Sequence, residues 1–339
     1  MKRPTITDIA WRAGVSKGAV SYALNGRPGV SEPTRERILA IAAELGWQPS
    51  NAARALSDGR AGAVGLVIDR PAHMLGIEPF FMQLISGIEA ELSEKAEALL
   101  LKVTEDRVAE VETYRRWWAE RRVDGVILVD LCDDDPRVKL IEELKLPAVV
   151  IGGPAGKGQL PAVWSDDASA MRAVVDYLAA LGHRSIARVA GPAEFVHTAV
   201  RTKAFTAAAR QRRLDRVQTV HADYTGEAGG QATRRLLAEA SPPTAIVFDN
   251  DVMAVAALAV AHEMRVPVPE RLSIVAWDDS ALCQLVHPAL TAVRRNIAEH
   301  GSRAAALLLR LVAGEPVTDD ECSAPTLATR GSTAPPPRA

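Results

Sequence analysis

Cysteine is scarce: three in 339 residues, at positions 132, 283 and 322, with no CxxC spacing. An odd, scattered set excludes a disulfide framework and a cysteine-built zinc site, and predicts a reducing, cytoplasmic setting. Long apolar runs are missing as well; no stretch approaches the ~18 residues of a membrane span, so no membrane partner is expected. The first residues, MKRPTITDIAWRAG, have no apolar segment behind their basic pair and do not read as a signal peptide. Catalytic signatures are lacking too: no nucleophile elbow, HExxH, P-loop or dinucleotide fingerprint. The pairs Asn250-Asp251 and Asp278-Asp279 are accounted for by a helix cap and a ligand acceptor. The chain therefore reads as a non-enzyme that needs neither cofactor nor metal.

What is present is unevenly distributed. Residues 1–60 hold nine Lys/Arg against five Asp/Glu, a balance of +4, and the remainder holds 31 against 37, a balance of -6. A basic head on an acidic body suits a head that meets a polyanion. Apolar content of 48% with 24% charged residues is that of a globular protein, and the length predicts two or three units.

Residues 5–47 read as three short helices. Ile6, Ile9 and Ala10 fall on one stripe behind Thr5 as N-cap. The turn AGV leads to Ser16, which caps a second helix with Val20 and Leu24 inward. Ser31 opens a third, with Ile38, Ile41, Ala42 and Leu45 on one side and Gly46 as its stop. Two helices across a tight turn, braced by a third, make a helix-turn-helix. The second helix is nearly free of acids, and Lys17, Gly18, Ser21 and Tyr22 share its outward side. Short side chains with a few reaching groups suit entry into a major groove. The segment QPSNAARALSDGR is too short to hold a helix alone, since isolated helices below ~12 residues are marginal in water.

From residue 62 strands alternate with amphipathic helices. AVGLVI (63–68), ALLLKV (98–103), DGVILV (124–129), AVVIGG (148–153), SIARVAG (185–191), TAIVFDN (244–250) and LSIVAWDD (272–279) are the strand candidates. Segments 80–95, 107–121, 167–181, 197–212, 226–239 and 251–263 are the helix candidates. Near-continuous apolar strands between helices imply parallel sheets covered on both faces, and this many units imply two α/β lobes. Ligands of such sheets bind beyond the carboxyl ends of strands. Trp117 and Trp118 read as packing residues of one helix. The expected organisation is a headpiece over 1–48, a hinge over 49–61, a two-lobed domain over 62–330 and a disordered Pro-rich tail over 331–339.

These blocks together resemble the LacI/GalR family of bacterial transcription regulators over nearly the whole chain. TITDIAWRAGVSKGAVSYALNG and VSEPTRERILAIAAELGWQPS resemble its DNA-binding headpiece, and NAARALSDGRAGAVGLVI its hinge and first core strand. LAALGHRSIARVAG, VRTKAF, FDNDVMAVAAL, SIVAWDD and HPALTAV follow in family order. The resemblance implies a periplasmic-binding-protein-like effector domain and a homodimer on double-stranded operator DNA. Many members carry Thr where this chain has Ala19 and Arg where it has Tyr22, so the operator sequence is not transferable.

By resemblance, Thr5, Ser16, Lys17, Gly18, Ser21, Tyr22 and Asn25 meet DNA, with Ser16 and Ser21 on phosphate. In the hinge, Asn51 and Arg54 contact phosphate or groove. Leu56, by composition a core leucine at a junction, becomes an apolar wedge for the minor groove. In the body Arg201, Asn250 and Asp278 are the implied effector ligands. Phe81, favoured over the adjacent Phe80, and Trp277 supply apolar faces, Trp277 having a competing core reading. Arg295 tilts the ligand towards something polar or acidic. The expected function is an effector-released repressor whose small-molecule effector is a carbohydrate. The alternative is a corepressor-type regulator answering to a purine or another small polar metabolite. The tail lacks the leucine heptads of a tetramer.

Overall fold

The computed structural model describes residues 4–47 and 59–337. Contacts divide the chain between Ala61 and Gly62 into a small unit and a large one.

The small unit forms where its caps place it. Helix α1 (Ile6–Ala13) starts at Thr5, whose backbone N–H and hydroxyl donate to the Asp8 carboxylate at 2.7 and 2.6 Å. It ends at Gly14, whose φ of 65° is the left-handed geometry that glycine adopts without a Cβ penalty. Helix α2 (Lys17–Leu24) follows Ser16, whose Oγ accepts from the Ala19 N–H at 3.1 Å. Helix α3 (Glu32–Glu44) follows Ser31, whose hydroxyl pairs with that of Thr34 rather than with a backbone N–H. Ile9, Val20 and Ile38 meet at the centre with small alanines around them, while Leu24, Ile41 and Leu45 are only partly covered. So small a core leaves each large side chain a sizeable share of the unit's stability, at about 1.5–3 kcal/mol for each one fully buried. Asn51, Arg54 and Leu56 lie outside the described residues.

The large unit holds two six-stranded sheets. In the first, β1 (Ala63–Asp69) lies between β2 (Ala98–Thr104) and β3 (Gly125–Leu128), followed by β4 (Ala148–Ile151), β5 (Ala162–Trp164) and β11 (Asp320–Glu321). In the second, β6 (Ser185–Ala190) lies between β7 (Arg216–His221) and β8 (Ala245–Phe248), followed by β9 (Ser273–Trp277), β10 (Thr291–Arg294) and β12 (Thr326–Ala328). All pairings are parallel except β12 on β10. The central strands are buried on both faces because helices cover both, which is why they read as unbroken apolar runs.

Helices α4 (Pro79–Glu94), α5 (Arg107–Ala119) and α6 (Pro136–Leu144) flank the first sheet. Helices α7 (Asp167–Leu181), α8 (Val196–Gln211), α9 (Gly226–Leu237), α10 (Asp251–Glu263) and α11 (Ala281–Leu285) belong with the second. Helix α12 (Ile297–Val312) follows β10 of the second sheet but packs into the core of the first. The chain thus passes between lobes three times: after β5, after β10 and between β11 and β12. Gly87 of α4 and Gly301 of α12 allow this return, since a Cβ on either would collide with backbone of the facing helix. Trp117 packs in the first lobe's core against Tyr114, whereas Trp118 is half exposed.

The C-terminal segment corrects one expectation. Residues 331–337 are not a loose tail: Ser332 is fully buried, donates to the Ile274 carbonyl at 2.6 Å and accepts from the Thr291 N–H at 2.8 Å. Buried His183 meets the Ala334 carbonyl and the Ser273 hydroxyl, both at 3.0 Å. Three consecutive prolines suggest disorder by composition, but the polar residues ahead of them are bonded into the second sheet.

Candidate functional site

A cavity of about 290 Å³ opens where the strands of both sheets end. The first lobe contributes Arg70 after β1, Glu78 and Phe80 at the start of α4, Asp130 after β3 and the loop 151–155 after β4. The second contributes Asp167 of α7, His197 and Arg201 of α8, Tyr224, and Asp249, Asn250 and Asp278 at strand ends. Arg295 and His300 come from the return into the first lobe. This is the crevice that the carboxyl ends of parallel strands create. The lobes touch beside it: the Val196 N–H donates to the Leu131 carbonyl at 2.9 Å, and the Arg70 guanidinium lies 5.4 Å from the Phe195 ring centre.

The arginines here are matched to carboxylates. Arg201 donates from Nε to Asp167 Oδ2 at 2.8 Å, with its Nη2 at 2.6 Å from the same oxygen. Arg295 donates to both oxygens of Asp278, at 2.5 and 3.2 Å. Arg70 donates to Asp130 Oδ2 at 2.7 Å. Beneath them Arg188 and Asp249, both fully buried side chains, form a two-pronged pair at 2.7 and 2.5 Å. Two prongs fix a carboxylate's plane as well as its charge. Burial opposes the charge on Asp130, Asp167 and Asp249, yet their arginines prevail and hold all three below the usual carboxylate range.

Groups without a strong cationic partner go the other way. Burial pushes the Glu78 carboxyl up to about 7, and that of Asp251 up to about 6. His197 is pushed down to about 4 by burial and then by Arg201, so its ring is neutral; its Nε2 lies 2.7 Å from the Tyr224 hydroxyl. Among the described residues no cluster of three His, Cys, Asp or Glu side chains is placed to hold a metal.

Arg201, Asn250, Asp278 and Arg295 all line the cavity. Asn250 has part of its amide engaged within the protein: its Oδ1 accepts from the Met253 N–H and its Nδ2 donates to the Tyr224 carbonyl, each at 2.9 Å, which leaves one N–H and one lone pair. It caps α10 and ties down the Tyr224 loop. Arg295 is neutralised by Asp278, which removes the expected tilt towards an acidic ligand. Phe81 is a second correction, because it is fully buried among the core residues of α4 while Phe80 faces the cavity. Adjacent residues on a helix point about 100° apart, and sequence alone did not settle which was inward. Trp277 is the third: it is fully buried, and the Arg201 guanidinium rests 4.2 Å from its ring centre. The tryptophan thus supports a cavity residue from behind instead of lining the cavity.

Arg70, Glu78, Phe80, Asp130, Asp167, His197, Tyr224 and Asp249 were missed by sequence reasoning. Asp130 and Asp249 each follow an apolar strand run directly and Arg70 stands two residues beyond one, and that position was the available signal.

In the small unit, Thr5, Lys17, Gly18, Tyr22 and Asn25 are exposed and Ser21 is half-buried. Asn25 Nδ2 donates to Ser21 Oγ at 3.4 Å, and Ser16 is engaged in capping. The Tyr22 ring lies against Gly29, whose φ of 115° belongs to the loop after α2.

Comparison with known proteins agrees with both units. Residues 5–50 match the model of bacterial regulatory proteins of the lacI family, and residues 175–333 match a periplasmic binding protein-like domain. The transcriptional regulator CelR of Thermobifida fusca is 33% identical, covering 93% of each chain. Among solved structures, a CelR–cellobiose complex aligns with a TM-score of 0.74 at 30% identity, over 97% of this chain and 100% of the other. The lac repressor dimer bound to operator and the anti-inducer ONPF aligns with a TM-score of 0.86 at 25% identity, over 98% and 100%. The chain belongs to the lacI family of bacterial transcriptional regulators: a DNA-binding protein with a helix-turn-helix head and an effector domain, and not an enzyme.

Proposed function

We propose that the protein is a cytoplasmic, homodimeric repressor released from a pseudo-palindromic operator by a neutral carbohydrate. The observation that carries the effector class is the charge pairing of the cavity. Arg70, Arg201 and Arg295 each have a carboxylate within hydrogen-bond reach, so no cation is left over for an acidic ligand. Pre-paired arginines and aspartates offer many oriented donors and acceptors at little net charge, which suits a polyhydroxyl molecule. The ring of Phe80, 5.3 Å from the Arg295 guanidinium, offers an apolar face for a sugar ring. The solved CelR–cellobiose complex supports the same class by analogy.

Lys17 and Tyr22 would read bases, Gly18 would let the helix approach closely, Ser16 and Ser21 would hold phosphate, Thr5 and Asn25 would add DNA contacts, and two-fold symmetry would match two half-sites. Asn51, Arg54 and Leu56 of the hinge would add minor-groove contacts. Ligand and DNA oppose one another reciprocally through the lobes.

The test is to select DNA from a random pool, then titrate the bound complex with cellobiose, maltose, glucuronate and adenosine. Release by a neutral saccharide supports the reading. Release by glucuronate alone, or tighter binding with adenosine, contradicts it.

A further inference from the structure

Among the described residues, Trp164 is the one tryptophan of six that lines the cavity. It ends β5, and backbone bonds to both neighbouring strands fix its place. The Gly152 N–H donates to the Val163 carbonyl at 3.0 Å, and the Cys322 N–H to the Trp164 carbonyl at 2.7 Å. Its side chain is only partly buried. The other aromatic groups of the wall are engaged: Phe80 by Arg295, and His197 and Tyr224 by one another with Phe195 alongside. Among the described residues, no ring or guanidinium lies against the Trp164 indole. An apolar surface on the cavity wall is thus left for a ligand to cover.

What stands beside that indole is an absence of side chains. The register of β4 on β5 sets Val150 beside Ala162 and Ile151 beside Val163. One residue further, Gly152 flanks Trp164, and neighbours across a parallel pair belong to the same face of the sheet. Gly152 and Gly153 both line the cavity, and a Cβ on either would meet nothing within 4 Å. Gly152 has a φ of 147°, which favours glycine. Gly153 is not held at a positive φ, so its backbone does not call for glycine. Its missing side chain leaves open space on the cavity wall next to the strand that carries Trp164.

An aromatic floor bordered by a wall without side chains suits a rigid ring with C–H groups on its face and hydroxyls around its rim. A pyranose has that form. Its C–H groups carry slight positive charge and rest on the negative face of an indole, while its hydroxyls reach the paired charges nearby. A small carboxylate or an open-chain polyol has no such face. We infer that Trp164, with Gly152 and Gly153, forms a specificity-determining subsite on which one pyranose ring of the effector stacks. The inference rests on the carbohydrate reading and deepens it.

The experiment is calorimetric titration of the full chain with cellobiose and maltose, read beside tryptophan emission. It compares wild type with Trp164→Ala, Trp164→Phe, Gly153→Val and Trp118→Phe. Thermal unfolding of each sugar-free variant checks that it folds. The saccharide that binds wild type should change the emission. Trp164→Phe should remove most of that change and keep affinity within about threefold, because a smaller ring still stacks. Trp118 is half exposed and lies outside the cavity lining, so Trp118→Phe should alter neither reading. Trp164→Ala should weaken binding by at least about tenfold, and Gly153→Val, which puts bulk into the open space, by a similar factor. Affinity unmoved by Trp164→Ala or by Gly153→Val overturns the subsite, as does an emission change of wild-type size in Trp164→Phe. Failure of both saccharides to bind wild type overturns the carbohydrate reading itself, and the two failures are thereby distinguished.

Discussion

Lys17 and Tyr22 stand exposed on an eight-residue helix, while in the cleft between two lobes buried Arg201 is bonded to Asp167 and buried Asp278 to the partly buried Arg295. The first arrangement leaves polar groups in water until a partner displaces it, and its structure depends on local caps and a small core. The second removes charges from water and must satisfy them at once, because an unpaired buried charge costs far more than a paired one. The head can therefore change its reading residues at little cost in stability. In the cleft, any change to a charge also disturbs a partner.

The largest effect should follow from breaking the deepest pair. Asp249→Ala leaves Arg188 buried without its carboxylate and should cost the large unit about 3–5 kcal/mol, read as a lowered unfolding midpoint. A cost below 1 kcal/mol would mean that the pairing is not a structural requirement. Next come the adjacent phenylalanines. Phe81→Ala should cost about 3–5 kcal/mol, whereas Phe80→Ala should cost little stability and instead weaken saccharide binding. Equal losses from both would erase the distinction between core and cavity.

How far the sequence showed these things depended on range. The capped headpiece helices were legible because a cap, a stripe and a stop lie within a few residues of each other. Six strands were legible because parallel strands covered on both faces leave continuous apolar runs, and the edge strand β2 was legible from its apolar run ALLLKV although it is largely exposed. Strand β7, RVQTVH, was not, being an edge strand with an alternating pattern. The return helix α12 was missed because its placement follows from packing against α4, more than 200 residues earlier in the chain. In the cleft, Arg201 and Asp278 were found, but their neutralising partners Asp167 and Arg295 come from separate crossings between lobes. No local pattern pairs them, and none separates Phe80 from Phe81.

A smaller effect concerns pH. Because the folded Glu78 carboxyl is raised to about 7 from 4.5, it contributes most to stability when protonated, below the unfolded value. That contribution is lost as pH rises through about 7. Glu78→Gln should therefore stabilise the large unit relative to wild type at pH 8 by roughly 1–3 kcal/mol, with the difference fading towards pH 5. The opposite pH trend, measured by denaturant unfolding, would show that Glu78 is held ionised. The smallest change in stability belongs to the head. Lys17→Ala and Tyr22→Ala should each shift it by less than about 0.5 kcal/mol while altering the bases recovered in selection from random DNA. Unchanged base preference would place reading elsewhere.

The central claim is that a cleft with its arginines already paired takes a neutral polyhydroxyl ligand. The most direct measurement is thermal unfolding of the full chain with cellobiose, maltose and glucose beside glucuronate, repeated on Arg201→Ala. A neutral saccharide at 100 times its dissociation constant should stabilise by about 2.7 kcal/mol in wild type and not in the variant. Stabilisation by glucuronate alone would contradict the account, since it would require a free cation that the paired cleft does not offer.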